Sequence, residues 1–357
     1  MAIHFSFDSG SSGAGVTRRD ELAELISIVS PLDTPLYTLL EHVPSNNITF
    51  EWVVDNIAAP TAAQGKAEGG SFSGAAVNAR TRLSNTHMIW WEHINVSRTQ
   101  RLMDEVGIDD EFTWQEVRTG LSVAKQFETN LRWSTYTAGS ATATVRSTAG
   151  LMEWLVKTGI SSTIASSVGG NTIPTAYSAS WHDQSDGNLT RTILHDNILK
   201  PCFNKGMQIG DAIAFCPVEV KRFISNFAVA YGGGTASTSS GGRVNRSQHD
   251  DALVEVVDVY ATDVGPLAIA VDRYMNNSFD LNLQMASSTP ADVIIEGEKS
   301  FFMIDPRFFQ ISVLDPIHFE PVAKTQDSTE GVVLGEMGLK VLNPRAGGGA
   351  SGITGVA

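Results

Sequence analysis

The sequence predicts an α+β protein, and three observations support this fold class. Ile48 to Val54 alternates apolar and polar residues, which is typical of a half-buried strand. An amphipathic stretch from about 110 to 138 has the spacing of one long helix. From Leu253 to Leu342 the chain is rich in short β-branched runs separated by turn residues. The chain therefore combines long helical and strand-rich parts, and we assign it to the α+β class.

Composition bounds the class of protein. The chain has 357 residues, 42% of them hydrophobic, and a formal net charge of −14. This length predicts two or three domains. The acidic charge argues against a surface that grips nucleic acid throughout. It suits either high solubility or a container wall that does not adhere to an enclosed polyanion. With no long apolar run or basic leader at the start, we expect no membrane partner and synthesis in the cytoplasm.

The N-terminal segment, 1–45, is predicted to contain two short helices after a polar, mobile start at 1–16. Thr17 is placed as the N-cap of the first helix, and Pro31 ends it. Pro35 occupies the first turn of the second helix, which turns Leu36, Leu39 and Leu40 inward. Helices this short need a larger body to pack against.

Residues 46–97 are predicted to form an extended two-stranded loop. Its limbs are Ile48–Val54 and Met88–Val96, and the polar run between them has almost nothing to bury. We expect the bases of the limbs to be ordered in any state and the tip, from Lys66 to Gly74, to depend on neighbours. Because such a loop cannot fold on itself, it indicates an assembly protein. The predicted inter-subunit contacts are Phe50, Trp52, Lys66, Glu68, Trp90 and Trp91, with an ordinary exposed pair as the alternative for Lys66 and Glu68.

The long helix is predicted to begin at Asp110 and Glu111, whose charges suit the positive end of its dipole. Its length of about 40 Å would brace a whole domain. The predicted apolar stripe comprises Val117, Leu121, Ala124 and Leu131, with Val123 and Phe127 beside it. Glu128 and Arg132 have the spacing of an i,i+4 ion pair. Gly139 is expected to close the helix.

The remaining half of the chain alternates loops with short elements. A short helix around Trp154 is followed by a predicted loop over 158–188. A buried strand at Ala212–Phe215 and a helix after Pro217 come next, and then a Gly/Ser loop. Strands are predicted around 254–260, 267–271, 293–295, 309–313 and 333–341, with Asp315-Pro316 ending one of them. The Gly-rich tail, 346–357, is expected to be exposed.

No segment carries a recognisable catalytic motif, and we expect neither enzymatic activity nor a cofactor. The densest set of potential metal ligands is His182, Asp183, Asp186 and His195, which we interpret as a solvated loop, with a divalent-ion site as the alternative. His87 and His93 are interpreted as core or interface residues, with a pH-sensing contact as the alternative. Cys202 and Cys216 are interpreted as small buried side chains rather than zinc ligands.

Several short sequence words, in this order, resemble those of tailed-bacteriophage major capsid proteins with the Hong Kong 97-type fold, and of one branch long catalogued as a domain of unknown function. They cover roughly residues 17–345, and their shared order is the specific part of the match. The words are Asp33-Thr-Pro-Leu36, Phe50-Glu-Trp52, Asn95-Val-Ser97, Gly107 with Asp110-Glu111, Arg146 with Gly150-Leu151 and Trp154, Val259-Tyr-Ala-Thr-Asp-Val-Gly265, Asp272-Arg-Tyr-Met275, and Leu334-Gly-Glu-Met-Gly-Leu339.

The resemblance implies a domain plan with an N-terminal arm, an extended loop, a spine helix, a peripheral domain and an inserted axial domain. The arm is 1–45 and the loop is 46–97. The peripheral domain would be formed by 98–185 and 265–345, with the spine helix at about 110–138, and the axial domain by 186–264, before the tail at 346–357. The Gly/Ser loop would then lie near the capsomer centre, at Gly232, Gly233, Gly234 and Gly241.

The resemblance also implies a function. Copies of the chain would assemble in the host cytoplasm, as hexamers and pentamers, into an icosahedral virion capsid around packaged double-stranded DNA, with little specific DNA binding. A portal and cement proteins are expected partners, and a separate scaffolding protein is expected unless assembly needs none. An encapsulin-type nanocompartment is the alternative, and an α/β enzyme is a third hypothesis. Deleting residues 58–84 is predicted to leave a folded subunit that forms no shells.

Overall fold

The computed structural model of the chain describes residues 33–57, 68–70, 80–103, 107–108, 110–139, 144–159, 167–174, 177–230, 259–276, 278–281, 293–324 and 326–356. The first predicted helix, after Thr17, and the Gly/Ser loop lie outside these residues.

The described chain contains seven α-helices and sixteen strands. The helices are α1 (Pro35–Leu39), α2 (Arg98–Leu102), α3 (Glu111–Trp133), α4 (Leu151–Gly159), α5 (Arg191–Ile193), α6 (Lys200–Asn204) and α7 (Val218–Ala230), with a π-helical turn, Leu194–Leu199, joining α5 to α6. The strands are β1 (Glu41–Pro44), β2 (Thr49–Val54), β3 (Thr81–Thr86), β4 (Met88–Ser97), β5 (Ser167–Val168), β6 (Asn171–Thr172), β7 (Ser180–Leu189), β8 (Ile213–Cys216), β9 (Val259–Thr262), β10 (Gly265–Val271), β11 (Ser278–Leu281), β12 (Val293–Glu296), β13 (Phe301–Ile304), β14 (Phe309–Pro321), β15 (Ser328–Val341) and β16 (Gly347–Val356).

A four-stranded sheet in the order β1-β14-β15-β4 packs against the long helix α3. β1 runs parallel to β14, and the other pairs are antiparallel. One face of the sheet is apolar and is covered by Val123, Phe127 and Leu131 of α3, all fully buried. The ring of Phe127 meets that of Trp90 edge to face at 5.4 Å between centroids. The helix therefore braces the sheet, as its predicted length implied.

The extended loop begins as a hairpin, but its strands are not the predicted pair. β2 has the predicted alternation, with Phe50, Trp52 and Val54 buried. Its partner is β3, whereas the predicted return limb, β4, pairs with β15. β3 was not predicted because its sequence is mostly polar and shows no apolar alternation. Asn85 compensates for its burial: its amide group donates to the Ala149 and Leu339 carbonyls at 3.1 and 2.7 Å and its oxygen accepts from two backbone N–H groups.

The spine helix begins where predicted and ends earlier. Asp110 is its N-cap, and Trp133 is its last residue, so its 23 residues span about 35 Å. The chain then turns back: the Gly150 N–H donates to the Ser134 carbonyl at 2.8 Å, and Thr137 pairs with Ser147. These contacts end the helix before Gly139. Val117, which was predicted to face inward, is exposed.

A six-stranded sheet in the order β7-β16-β13-β8-β10-β9 forms the second layer, with its own apolar core. The predicted buried strand at Ala212–Phe215 is confirmed as β8, and a turn at Thr262–Gly265 joins β9 to β10. The helix after Pro217 is α7, which turns Val220 and Ile224 into this core.

Two predictions in this layer are wrong. The loop predicted over 158–188 contains the ten-residue strand β7, and the tail predicted to be exposed is the central strand β16, parallel to β7. The glycines of β16 allow this because a Cβ on Gly348 would lie 2.5 Å from the Cys202 sulfur, and one on Gly349 would lie 2.6 Å from the Trp181 ring. Glycine here permits close packing rather than marking an exposed end.

Asp315-Pro316 was predicted to end a strand, and this prediction is also wrong. β14 continues to Pro321, with register shifts on either side of Asp315. A proline is tolerated at such an irregularity because the ladder hydrogen bond is already interrupted there. The six-stranded sheet also draws strands from both sides of the predicted axial span, 186–264: β7 begins before it, and β13 and β16 follow it.

Candidate assembly surface

Three of the predicted contact residues lie inside the chain's own core. Phe50 stacks on Trp52 at 5.9 Å between ring centroids, and Trp52 meets Trp154 of α4 at 5.8 Å. Trp90 packs on Phe127 and is fully covered by the subunit. These three side chains anchor the base of the extended loop to the subunit. This agrees with the expectation that the bases of both limbs are ordered. Their burial removes them from any surface that a neighbouring copy could touch.

Trp91 lies on the opposite side of β4 and is 62% exposed. Ile89, two residues away on the same face, is 48% exposed. Trp91 stands directly opposite Leu334 of β15, and the next pair along the strands is His93 with Val332. We call Ile89, Trp91, Val332 and Leu334 the outer apolar face. Consecutive residues Trp90 and Trp91 therefore have opposite roles, one in the core and one at the surface.

A polar rim surrounds the outer apolar face. The imidazole of His93 lies 3.5 Å from the Glu330 carboxylate, and Arg146 pairs with Glu336, the residue opposite Ile89. Hydrogen bonds from Gln326 and Ser328, and then the nearby His93, hold the pKa of Glu330 below its ordinary value. An apolar centre with a charged rim is the usual anatomy of a protein–protein contact.

His318 lies on the same side of the rim, opposite Leu334. A hydrogen bond to the Pro316 carbonyl, and then one to Glu320, raise the pKa of His318 above its ordinary value. Since this imidazole is at the surface, its charge is solvated and contributes to the rim rather than to the stability of the core.

Of the remaining predicted contact residues, the structure describes only Glu68. Glu68 is exposed in the short described piece 68–70. Lys66 lies outside the described residues, and so do Gly232, Gly233, Gly234 and Gly241.

A buried ion network, which the sequence indicated only in part, joins three distant segments. Glu128 and Arg132 form the predicted i,i+4 pair at 2.7 Å, but both are fully buried, and Arg132 also contacts the Asp272 carboxylate. Glu128 accepts hydrogen bonds from the Leu36 and Tyr37 N–H groups of α1, each at 2.8 Å. The N-terminal helix is thereby fixed to the end of the spine helix.

Tyr274 extends this junction. Its ring lies 5.3 Å from the Arg132 guanidinium carbon, and its hydroxyl donates to the Asp33 carbonyl at 2.8 Å. Its own carbonyl accepts from the Trp133 indole N–H, also at 2.8 Å. Two of the sequence words, Asp33-Thr-Pro-Leu36 and Asp272-Arg-Tyr-Met275, therefore meet at the end of α3.

The histidine and aspartate set predicted as a solvated loop lies partly on strand β7 and partly in the helix after it. His182 Nε2 is 3.4 Å from the Asn197 amide, and His195 Nε2 is 3.4 Å from the Tyr260 hydroxyl. Within the described ranges no group of three or more His, Cys, Asp or Glu side chains is arranged to hold a metal ion. His87 is a core residue, bonded to the Ile48 carbonyl and the Ser312 hydroxyl, and His93 is at the rim.

Burial sets the chemistry of the two cysteines. It raises the pKa of each thiol, Cys202 and Cys216, to about 12, so both are neutral, unreactive core groups. In the same described part of the chain, no helix is both long and apolar enough to cross a bilayer.

Comparison with known protein families identifies the class of protein to which the chain belongs. A model of the family described as SU10 major capsid protein matches residues 6–354. The chain belongs to this family. The family is a class of structural capsid proteins and not a class of enzymes, so this capsid protein is a shell subunit of a tailed phage and part of the virion. Among curated proteins no match is found.

Solved capsids share the fold of this capsid protein. The capsid of the native GTA particle aligns with a TM-score of 0.57 at 13% identity, over 99% of this chain and 100% of that one. The cyanophage A-1(L) capsid aligns with a TM-score of 0.64 at 10% identity, covering 94% and 97%. The mature capsid of bacteriophage PhiM1 aligns with a TM-score of 0.59 at 9% identity, covering 98% and 96%. The Hong Kong 97-type fold is confirmed, and an encapsulin-type compartment is not favoured.

Proposed function

We propose that this chain assembles as hexamers and pentamers into a closed icosahedral head around double-stranded DNA, and that the outer apolar face is one of its contacts between copies. The observation that carries this proposal is Trp91, a large apolar side chain that is exposed on the edge strand β4 and lies beside charged residues. Repeated, identical contacts of this kind are what a symmetric shell requires of its subunit.

The size of this contact can be estimated. Burying the exposed part of Trp91 would remove about 150 Å² from water, which corresponds to about 4 kcal/mol before the entropy of ordering is subtracted. Tryptophan is frequent among the few residues that carry most of the energy of an interface. Since every copy presents the same face, a modest contact repeated through a closed lattice is sufficient for a stable shell.

The two sheets suggest a revised domain plan. We propose that the four-stranded sheet with α3 is the core of the peripheral domain, and that the axial domain is larger than 186–264, because β10 and β13 lie in the six-stranded sheet although both fall within 265–345. The loop around Gly232 to Gly241 follows α7 in the sequence, and its place at the capsomer centre is proposed from the family resemblance alone. The net charge of −14 supports a wall that binds packaged DNA weakly. A portal, and cement or scaffolding proteins, are the proposed partners, with assembly in the host cytoplasm.

Matched substitutions at adjacent residues test the contact. We expect Trp91→Ser to leave a folded monomer that needs at least about tenfold more protein to form shells, because a contact worth several kcal/mol is lost. Trp90→Ser should instead unfold the subunit, since it empties the core under α3. Phe203→Ser, which removes an exposed aromatic side chain from α6, is the control and should form shells normally.

Negative-stain microscopy and sedimentation of the purified proteins would measure these outcomes. Shells of Trp91→Ser that form at the wild-type concentration would refute the proposed contact. Circular dichroism would verify that the variant is folded, which separates a failure of assembly from a failure of folding.

A loop deletion tests the extended loop separately. The deletion predicted from the sequence, 58–84, would remove most of strand β3 and its buried Leu83. Deleting 58–79 instead preserves β3 and joins the hairpin near Ile57 and Arg80. We expect this variant to fold and to form no shells, and normal shells would contradict a role of the loop in assembly.

A further inference from the structure

A cationic cleft lies at the base of the extended loop. It is bounded by the end of β2, from Val53 to Ile57, and by the turn that follows β15, from Leu342 to Arg345, and its volume is ≈ 400 Å³. Lys205, from the end of α6, and Tyr177 complete its walls. The cleft thus lies where the extended loop leaves the subunit, between the end of the β2-β3 hairpin, the turn after β15 and the end of α6.

Two cations share this cleft without a carboxylate to neutralise them. The Lys205 ammonium donates to the Ala179 carbonyl, and Arg345 is half-buried beside the turn. Burial, and secondarily the charge of Arg345, lower the pKa of Lys205. Among the described residues, no Asp or Glu lies within ion-pair distance of either cation. Two like charges in a partly desolvated cleft are unfavourable unless an anion joins them.

The acidic residue that lines the cleft has other partners. The Asp55 carboxylate pairs with Arg80 at 3.3 Å and accepts from the Asn56 N–H at 2.8 Å. It belongs to the hairpin rather than to the two cations. The cleft therefore keeps an excess of positive charge on a chain that carries 39 acidic and 25 basic side chains.

We propose that this cleft binds a carboxylate side chain presented by a second copy of the chain, an inference that rests on the shell assembly proposed above. Charge complementarity identifies the occupant, since a surface of another copy offers many carboxylates and the cleft offers two cations. Ile57, which is 93% exposed at the rim of the cleft, adds an apolar contact surface beside Lys205 and Arg345. Such a contact would fix the origin of the loop against the neighbour that the loop crosses.

Neutralisation of the cleft tests the inference. In Lys205→Met with Arg345→Gln, the side-chain stems remain and the two charges are removed. We expect the subunit to stay folded and to need about fivefold more protein to form shells at low salt, with a weaker dependence of assembly on salt than in the wild type. Arg222→Gln, which removes an exposed cation from α7, is the matched control and should behave as the wild type.

Carbodiimide cross-linking identifies the partner. Carbodiimide activates a carboxylate, the amine of Lys205 displaces the resulting urea, and an amide bond forms. In shells made from a mixture of ¹⁴N and ¹⁵N subunits, we expect mixed-isotope peptides that join Lys205 to an acidic residue of another copy. Cross-links confined to one chain, or none at Lys205, would overturn the inference.

The outcomes separate this inference from the proposed function. If the wild type and Arg222→Gln form shells and the neutralised variant does so with the same salt dependence, the cleft has no such role although shell assembly stands. If the variant's defect appears only when DNA is packaged, the anion is a phosphate and the inference is wrong. If the wild type forms no shells, both the proposed function and this inference fail.

Discussion

Replacing Arg132 with Met tests the buried ion network that joins the N-terminal helix to the spine helix. The side chain of Arg132 is completely buried and stands between two equally buried carboxylates, Glu128 and Asp272. The network carries one positive and two negative charges, and the excess negative charge is met by the Leu36 and Tyr37 N–H groups. Methionine fits the volume but leaves both carboxylates without a cation.

The expected cost follows from this charge count. Removing one partner of a buried pair typically costs about 3–5 kcal/mol, because an uncompensated charge remains in the core. Arg132→Met should therefore lose about 3–5 kcal/mol. Glu128→Gln should lose less, about 1.5–3 kcal/mol, since Arg132 and Asp272 remain paired and only the charged hydrogen bonds to α1 are weakened. The order of the two losses is the decisive part of the prediction.

Urea unfolding of the unassembled subunit at about pH 7 would measure both losses as decreases in the free energy of unfolding. If Glu128→Gln were the more damaging substitution, or if Arg132→Met unfolded at the same urea concentration as the wild type, the network would not work as argued.

Two further predictions concern the core. Burial lowers the pKa of His87 below its ordinary value of 6.5, so the folded state binds fewer protons than the unfolded state. The contribution of His87 to the free energy of unfolding should therefore be full above about pH 6.5 and should decrease below it. In urea unfolding, His87→Gln should make the free energy of unfolding depend less on pH in this range. An unchanged pH dependence would exclude His87 as its source. Gly348→Ala should lower the free energy of unfolding by about 1–3 kcal/mol, because its Cβ would lie 2.7 Å from the Ser180 carbonyl oxygen. Gly120→Ala, in the open middle of α3, should raise it by about 0.5–1 kcal/mol. Equal effects of the two substitutions would contradict the packing of β16.

The sequence predicted elements whose pattern is local. Strand β2 and helix α3 carry periods of two and 3.6, and the structure has both, with the start of α3 at the predicted residue. The α+β class and the order of elements followed from these patterns. Local periodicity is informative here because one face of each element packs on a large core.

Elements that depend on distant partners could not be predicted. β16 is a run of glycines and small residues, and only its position between β7 and β13 makes it a strand. β3 has one fully buried apolar side chain, Leu83, and its buried Asn85 is satisfied by residues 64 and 254 positions away. Neither strand shows a clear alternation, since the packing that stabilises each comes from elsewhere in the chain.

The candidate surface was predicted in outline but not residue by residue. On the return limb, Trp90, Ile94 and Val96 fall on one face, so the sequence indicates that Trp90 and not Trp91 faces inward; both were nevertheless predicted to contact another subunit. In the structure Trp90 packs on Phe127 and Trp91 is exposed. The cationic cleft had no local signal at all, since Lys205 and Arg345 lie 140 positions apart in the sequence.

Several of the sequence words that carry the family resemblance mark joints within the subunit. Asp33-Thr-Pro-Leu36 and Asp272-Arg-Tyr-Met275 meet around Arg132, and Trp52 from another word packs on Trp154 from a third. A joint of this kind needs particular residues, because a buried charge or a stacked ring tolerates few substitutes. A contact on a solvent-exposed face tolerates many. The words therefore identify the fold of a shell subunit, whereas the geometry of its lattice would depend on the contact surfaces that we propose around Trp91 and Lys205.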